Sequence, residues 1–434
     1  MVKVVKFGGT SVATAEQQVK VKRIVEADPE RRFIVPSAPG KAHKDDTKVT
    51  DLLYLAHQMV TANQPLDAVW ERIRRRFHDI IDGLGISCDL DPALEEVRKR
   101  IERREADEHY IASRGEALNG IIIAALCEAE YVDAAEVIRF DRAGRMDPIS
   151  YDLIRERCAG SGRYVIPGFY GAKEDGTIRT FSRGGSDITG AVVANAMDAS
   201  VYENWTDVSG FRMTDPRVVP EAKQITEITY GELRELSYMG ASVLHEGAVF
   251  PVIAKGIPIN IRNTNEPDNP GTMILASRDA GEQRVVGVAG KKGFSVFTVE
   301  KALMNEEVGF DYRVLGVFDH LGISVEHTPS GIDTISIVVA DSQLQDKESD
   351  VLAELQAFRP DSVTVTHGFA LIATVGQGMA SRVGTAATLF SALSEAGVNV
   401  RMIDQGSSEQ NIIIGIEEAD YAKALGAIYH AFEG

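Results

Sequence analysis

Hydrophobic positions recur in two rhythms along this chain. From residue 1 to about 280, short apolar runs alternate with longer segments whose apolar residues return every three or four positions. The runs at 2–6, 33–36, 132–138, 163–167, 201–204 and 257–261 predict strands. The segments at 50–59, 92–104, 110–127, 187–196, 230–238 and 246–254 predict helices. That alternation predicts an α/β domain, a mainly parallel sheet sandwiched by helices. The turn-rich stretch Asn265, Glu266, Pro267, Asp268, Asn269, Pro270, Gly271 marks its edge, so a first domain is placed at 1–280.

Beyond the edge the chain repeats itself. Leu321, Gly322, Ile323, Ser324, Val325 is echoed 75 residues later by Ala396, Gly397, Val398, Asn399, Val400. Each copy follows a helical pattern (312–320, 386–395) and is itself read as a strand. A short Ser/Gly turn and a β-rich run (334–339, 411–416) come next. Two small α+β modules with antiparallel sheets are expected, at 285–367 and 368–434, with interleaving allowed. Such sheets pair edge to edge, and pairing creates ligand-sized grooves.

Composition then excludes several classes. The 434 residues are 44% apolar and 25% charged, ordinary for a globular protein with two or three cores. No segment reaches the ~18 uninterrupted apolar residues of a membrane span. The N-terminus opens directly on a strand, so export is not expected. Cys88, Cys127 and Cys158 are spaced too widely for a metal knuckle and suggest reduced thiols in the cytoplasm. The net charge of −18 argues against nucleic acid or an anionic membrane as partner. It also requires a site for a polyanion such as ATP to gather basic groups locally or to import Mg²⁺. The basic run 72–76, on a helix with Val69, Ile73, Phe77 and Ile80 along one face, reads as a solvated surface. His245-Glu246 lacks the second histidine of a zinc-protease helix, and no metal-ligating residues are expected.

The chemistry concentrates in three loops. Lys6, Phe7, Gly8, Gly9, Thr10, Ser11 follow the first apolar run and form a glycine turn with a lysine at its lip. Two glycines let backbone approach an anion, and a helix from about Thr14 would face a phosphate with its amides. Ser182, Arg183, Gly184, Gly185, Ser186, Asp187 precede another helical pattern. A third segment runs from Trp205, Thr206, Asp207 to Thr214, Asp215, Pro216, Arg217. Three such loops at strand ends point to a phosphate-handling α/β enzyme.

Taken together, these segments resemble the monofunctional aspartokinases of the amino-acid kinase superfamily, which end in a pair of ACT modules. The resemblance covers nearly all 434 residues, and a fused aspartokinase–homoserine dehydrogenase would be far longer. It implies ATP-dependent phosphorylation of the L-aspartate side-chain carboxylate with Mg²⁺, giving 4-phospho-L-aspartate on the way to lysine, threonine and methionine. A carboxylate nucleophile is already ionised at pH 7, so catalysis must come from charge and alignment. Lys6 suits the bridging of phosphate oxygens, with Gly8, Gly9 and Ser11 nearby and Asp187 holding the lysine. Arg183 suits the α-carboxylate of the substrate and Glu116 its α-amine, while Thr50 matches a substrate-contacting threonine.

On the nucleotide side the resemblance implies Phe7, Ser186, Thr206, Asp207, Arg212, Arg217, Ser242 and Val243. Ser242 stands where many members carry lysine and Arg212 where tyrosine is frequent, so Arg212 is read as restoring the charge. In the first module the implied effector groups are Met304, Phe310, Asp311, Ser324, Val325 and Glu326. Two acids suit lysine, alone or with threonine, bound where ACT modules pair in a homodimer or homotetramer. Asn399 and Gln405 of the second module suit a dication less well. The alternatives are a kinase for glutamate or N-acetylglutamate, and a non-catalytic amino-acid sensor.

Overall fold

A computed structural model describes residues 1–182, 184–241, 244, 247 and 249–433. The chain divides into two units. The first comprises Met1–Phe211, Gln224–Tyr230 and Val243–Arg278; the second comprises Arg212–Lys223, Gly231–Ser242 and Asp279–Gly434.

Eleven strands build the first unit: β1 (Lys3–Phe7), β2 (Arg31–Pro36), β3 (Glu130–Tyr131), β4 (Arg139–Phe140), β5 (Tyr164–Val165), β6 (Tyr170–Lys173), β7 (Ile178–Thr180), β8 (Val201–Thr206), β9 (Glu227–Thr229), β10 (Ile259–Asn263) and β11 (Thr272–Leu275). Eight of them form one sheet in the order β3-β5-β2-β1-β8-β10-β11-β9, and β4-β6-β7 form a small second sheet. From β3 to β10 neighbouring strands are parallel; β11 runs antiparallel to β10. The buried part of the central strand β1, Val4–Phe7, is apolar on both faces except for Lys6, as a strand covered twice must be. Val5 and Phe7 pack with Ile34 and Trp205 under helices Ala15–Glu26 and Glu108–Leu126. Lys6 leaves the opposite face, toward helix Gly185–Ala196. A separate helical layer, with Trp70, Phe77, Ile111 and Leu118 at its centre, joins Val49–Thr61, Asp67–Leu84 and Asp91–Glu102 to the helix Glu108–Leu126.

Two local expectations change, and a third falls partly outside the described residues. The stretch 132–138 is not a strand: Asp133 accepts a hydrogen bond from the Ala135 amide at 2.9 Å and caps a short helix, Ala134–Val137. An N-capping aspartate thus overrides the β-branched Val132, Val137 and Ile138. The helix expected over 246–254 falls partly outside the described residues, at 246 and 248; the described part includes a short helix, Phe250–Ile253, with Pro251 in its first turn. The strand expected at 257–261 begins two residues later, at Ile259.

The second unit holds a five-stranded antiparallel sheet made of β12 (Gly287–Glu300), β13 (Thr334–Ala340), β14 (Ser362–Val375), β15 (Met402–Asp404) and β16 (Asn411–Glu417), ordered β13-β12-β14-β16-β15. Strands β12 and β14 pair from Gly287–Val375 to Glu300–Ser362, with an irregularity between Lys292 and Val296. One end of this pair, with Phe297 and Val299, packs under helix Phe310–His320. The other, with Val288 and Ile372, packs under helices Thr385–Glu395 and Tyr421–Phe432. The boundary expected at 367/368 falls inside β14. The repeat is visible as two helices that start after Gly309 and Gly384, at φ of 77° and 93°. The expected strand at 321–325 is instead a turn after the helix; extended pairing starts at Glu326, whose N–H donates to the Val338 carbonyl at 2.9 Å.

Candidate active site

In an open α/β sheet, ligands bind beyond the carboxyl ends of strands where the winding reverses. Here that point is β1, flanked by β2 on one side and β8 on the other. Three backbone hydrogen bonds gather the loops that leave these strands. The Gly8 amide donates to Trp205 O at 2.9 Å, Ser37 to Phe7 O at 3.0 Å, and Gly40 to Gly9 O at 2.9 Å. Glycine is required at 40, where a Cβ would lie 2.8 Å from the Gly9 backbone. The turn after Gly8 is a 3₁₀ helix, Gly9–Val12, and the α-helix begins only after the Thr14 cap. The amides nearest an anion at Gly8 are therefore those of the 3₁₀ turn. Gln18 and Asn119, both buried, fasten it: Gln18 Nε2 donates to Val12 O and to Asn119 Oδ1, and Asn119 Nδ2 donates to Ser37 O.

At the lip stands Lys6, 8% exposed, with Nζ 2.5 Å from Asp187 Oδ1. A Cβ on Gly8 would lie 3.7 Å from Lys6 Nζ and 4.0 Å from Thr206 Oγ1, so Lys6, Gly8, Thr206 and Asp187 share one corner. Thr206 Oγ1 donates to the exposed Asp207 carboxylate at 3.2 Å. Ser11 lies deeper, its hydroxyl accepting from Thr264 at 2.7 Å. Phe7 is fully buried and stacks on Trp205, so its side chain belongs to the core. Ser186 packs over Gly168, where no side chain would fit. Next to it Phe169 holds φ at 80°, a left-handed value that non-glycine residues seldom adopt.

The substrate side centres on Glu116 in helix Glu108–Leu126. Gly115 has no side chain, and a Cβ there would lie 2.7 Å from Ala38 Cβ and 3.7 Å from Thr50 Oγ1. The helix thus presses against the 37–40 loop and brings Thr50, Ala38 and Glu116 together. Burial pushes the Glu116 carboxyl up to about 8, although the Ala38 amide hydrogen-bonds to it and pulls the other way. Its Oε2 is buried with no hydrogen-bond partner among the described residues. A buried, unsatisfied carboxylate oxygen is a vacant acceptor for a cation.

Several supports escaped the sequence reading. Arg76 is no solvated surface charge: it donates to Gly40 O at 2.8 Å and pairs with Asp46 at 2.9 Å, bracing the 40–46 loop. Asn204 stands between Lys6 and Asp187. The sequence signal was the amide of Asn204 beside Glu203 inside a central strand.

The remaining candidates divide. Arg183, Ser242 and Val243 lie outside the described residues. Arg212 and Arg217 belong to the second unit. Arg212 is exposed and donates to Ala222 O at 2.9 Å, and Arg217 grips Asp215 at 2.7 Å while facing solvent. Among the described residues neither has a contact that marks it as the charge substitute for Ser242. Among the described residues no group of three or more His, Cys, Asp or Glu side chains could cage a metal ion. No helix among them is long and apolar enough to cross a membrane.

Of the effector candidates, Met304 and Phe310 are core residues, Val325 packs against that core, and Asp311 and Ser324 are exposed. The Phe310 amide already donates to Glu307 O at 3.2 Å, which leaves it less able to hold a carboxylate. Glu326 accepts a hydrogen bond from the Tyr238 hydroxyl, within the same unit.

Residues 1–263 match the model of the amino acid kinase family, and 372–432 match an ACT domain. The chain is 38% identical to aspartokinase 3 of Bacillus subtilis, over 99% of this chain and 98% of that one. The crystal structure of Clostridium acetobutylicum aspartate kinase superposes with a TM-score of 0.92 at 49% identity, covering 99% of both chains. E. coli aspartokinase III, solved with aspartate and ADP, superposes with a TM-score of 0.75 at 26% identity over the whole of both chains. A second structure of it, with lysine and aspartate, gives 0.77. A family model matching 1–263 and a relative alike over nearly the whole of both chains show that the chain belongs to the amino acid kinase family, among the aspartate kinases that carry ACT domains.

Proposed function

We propose that this chain transfers the γ-phosphoryl group of ATP to the side-chain carboxylate of L-aspartate, giving 4-phospho-L-aspartate and ADP at the head of lysine, threonine and methionine biosynthesis. The observation that carries the substrate assignment is the unpartnered Glu116 oxygen, a site for a free α-ammonium. An N-acetylated substrate offers no charge there, and a mere sensor has no use for the Lys6–Asp187 pair. The E. coli relative solved with aspartate and ADP supports the same pairing of ligands.

In this reading a carboxylate oxygen of aspartate attacks the γ-phosphorus while the bond to the β,γ-bridging oxygen breaks, and ADP leaves with that electron pair. No base is needed, because the nucleophile is already ionised. Glu116 holds the ammonium, Arg183 the α-carboxylate and Thr50 the adjacent backbone side of the substrate. Lys6 turns from Asp187 to the phosphoryl oxygens as charge develops, and the Gly8–Ser11 turn presents its amides. When bound, Mg²⁺ would supply neutralising charge on the nucleotide; among the described residues no group of three or more acidic, histidine or cysteine side chains would hold it by itself. Phe7 contributes backbone only, and Ser186, Thr206, Asp207 and Val243 complete the nucleotide side.

Regulation is assigned to the second unit, with lysine, alone or with threonine, held near Asp311 and Glu326 where ACT modules of two copies pair in a dimer or tetramer in the cytoplasm. The E. coli relative solved with lysine supports that choice. The test is ADP release across a panel of amino acids, with hydroxylamine trapping and with or without lysine and threonine. Turnover with L-aspartate alone is expected. Equal turnover with L-glutamate, or none with aspartate, overturns the assignment.

A further inference from the structure

Strand β8 lies beside β1 with Asn204 in register opposite Lys6. Facing residues of paired strands leave the same side of a sheet, so both side chains point toward helix Gly185–Ala196. Asn204 is 2% exposed. A buried strand position normally takes an aliphatic side chain, since an amide there must find partners for every group or lose stability. Asn204 finds two. Its Nδ2 donates to Asp187 Oδ1 at 2.9 Å, and its Oδ1 accepts from Lys6 Nζ at 3.4 Å. With the 2.5 Å Lys6–Asp187 pair this closes a ring of three side chains, and the charges fix which end of the amide faces which partner.

The same face of β8 grips Asp187 a second time. Tyr202, two residues earlier, donates its hydroxyl to the Asp187 carbonyl at 3.0 Å. Gly190 makes room for that ring, because a Cβ there would lie 2.6 Å from it. Burial holds the Tyr202 phenol protonated, well above its ordinary range, so it stays a donor. Tyr202 therefore sets the backbone at Asp187 and Asn204 sets its carboxylate.

We infer that Asn204 is a positioning residue for phosphoryl transfer, acting through Asp187 and Lys6. The inference rests on the assignment of Lys6 to the phosphoryl oxygens. When the ammonium turns to the phosphate, the Lys6–Asp187 contact opens. A carboxylate free to swing after it would bring negative charge toward the phosphoryl group and draw Lys6 back. The Asn204 amide keeps Oδ1 in place, so the benefit appears in the transition state rather than in aspartate binding.

The test compares wild type, Asn204→Leu, Asp187→Asn and the double variant by steady-state kinetics and thermal melting. Asn204→Leu is expected to lower kcat about tenfold, the scale of one hydrogen bond to a charged group, with KM for aspartate within about twofold. Combined with Asp187→Asn it should add little further loss, because both act on one element. Asn204→Asp, nearly isosteric but of like charge to Asp187, should lose more than Asn204→Leu and serves if the latter folds poorly. An unchanged kcat, a loss confined to KM, or fully additive losses overturn the inference. Absence of aspartate-dependent turnover in the wild type sinks the parent reading instead, so the two failures are distinct.

Discussion

Replacing Glu116 by glutamine should make the ligand-free protein more stable at alkaline pH and less stable at acid pH. The Glu116 carboxyl rises from its usual 4.5 to about 8 because it is buried. Between those values the folded protein keeps a proton that the unfolded chain has released. Stability therefore falls as pH rises through this window, by about 1.4 kcal/mol per pH unit. The full cost above pH 8 is on the order of 5 kcal/mol, and below 4.5 it vanishes. Glutamine removes the ionisation and keeps an oxygen for the Ala38 amide, but it places an NH₂ group where Oε2 found no partner, at about 1–3 kcal/mol. The net gain at pH 8.5 is then about 2–4 kcal/mol, turning into a loss near pH 5. Urea midpoints of both proteins at pH 5, 6.5 and 8.5 measure this directly. Saturating L-aspartate should stabilise only the wild type, since its ammonium gives the ionised carboxylate a partner. A stability difference independent of pH, or equal stabilisation by aspartate, would refute the argument that Glu116 waits buried and unpaired for a cation.

Other outcomes follow from the same geometry. Lys6→Ala should lower kcat by about 10²-fold or more in a coupled ADP assay, since its charge acts as the phosphoryl group transfers. Arg76→Ala frees the loop that carries Ala38 and Gly40 and should raise KM for aspartate several-fold with a smaller change in kcat. Tyr238 donates to Glu326, and burial together with that carboxylate pushes its phenol up to about 12. A lysine ammonium at Glu326 must compete with that hydroxyl, so Tyr238→Phe should lower the half-inhibitory lysine concentration about tenfold, whereas Glu326→Ala should raise it. Dose–response curves of aspartate-dependent activity check both.

Much of this was legible in the sequence because its determinants are local. The run before Lys6 and the following glycines fix a buried strand and a tight turn within a dozen residues, and the structure has both. Lys6 meets Asp187 across 181 positions, yet each was marked by its own loop. What stayed hidden depends on partners distant in sequence. Nothing near Glu116 in the chain says that Ala38 will supply an amide, or that Oε2 will find no partner among the described residues. Arg76 carries the same charge as its exposed neighbours, and only the loop at 40–46 gives it a different task. The Ala134–Val137 helix was misread because one capping aspartate decided between two conformations.

The length of β12 and β14 has a consequence for how the second unit comes apart. Both hydrophobic clusters hang on the same two strands, so neither cluster can unzip its sheet without loosening strands that the other also uses. The two halves should then melt as one cooperative block, with hydrogen-exchange protection of similar free energy at Val299 and at Val288. Cutting the chain at 367 would sever β14 and leave two raw sheet edges, a template for aggregation rather than a free-standing module. A regulatory half transplanted between relatives would have to carry both strands whole.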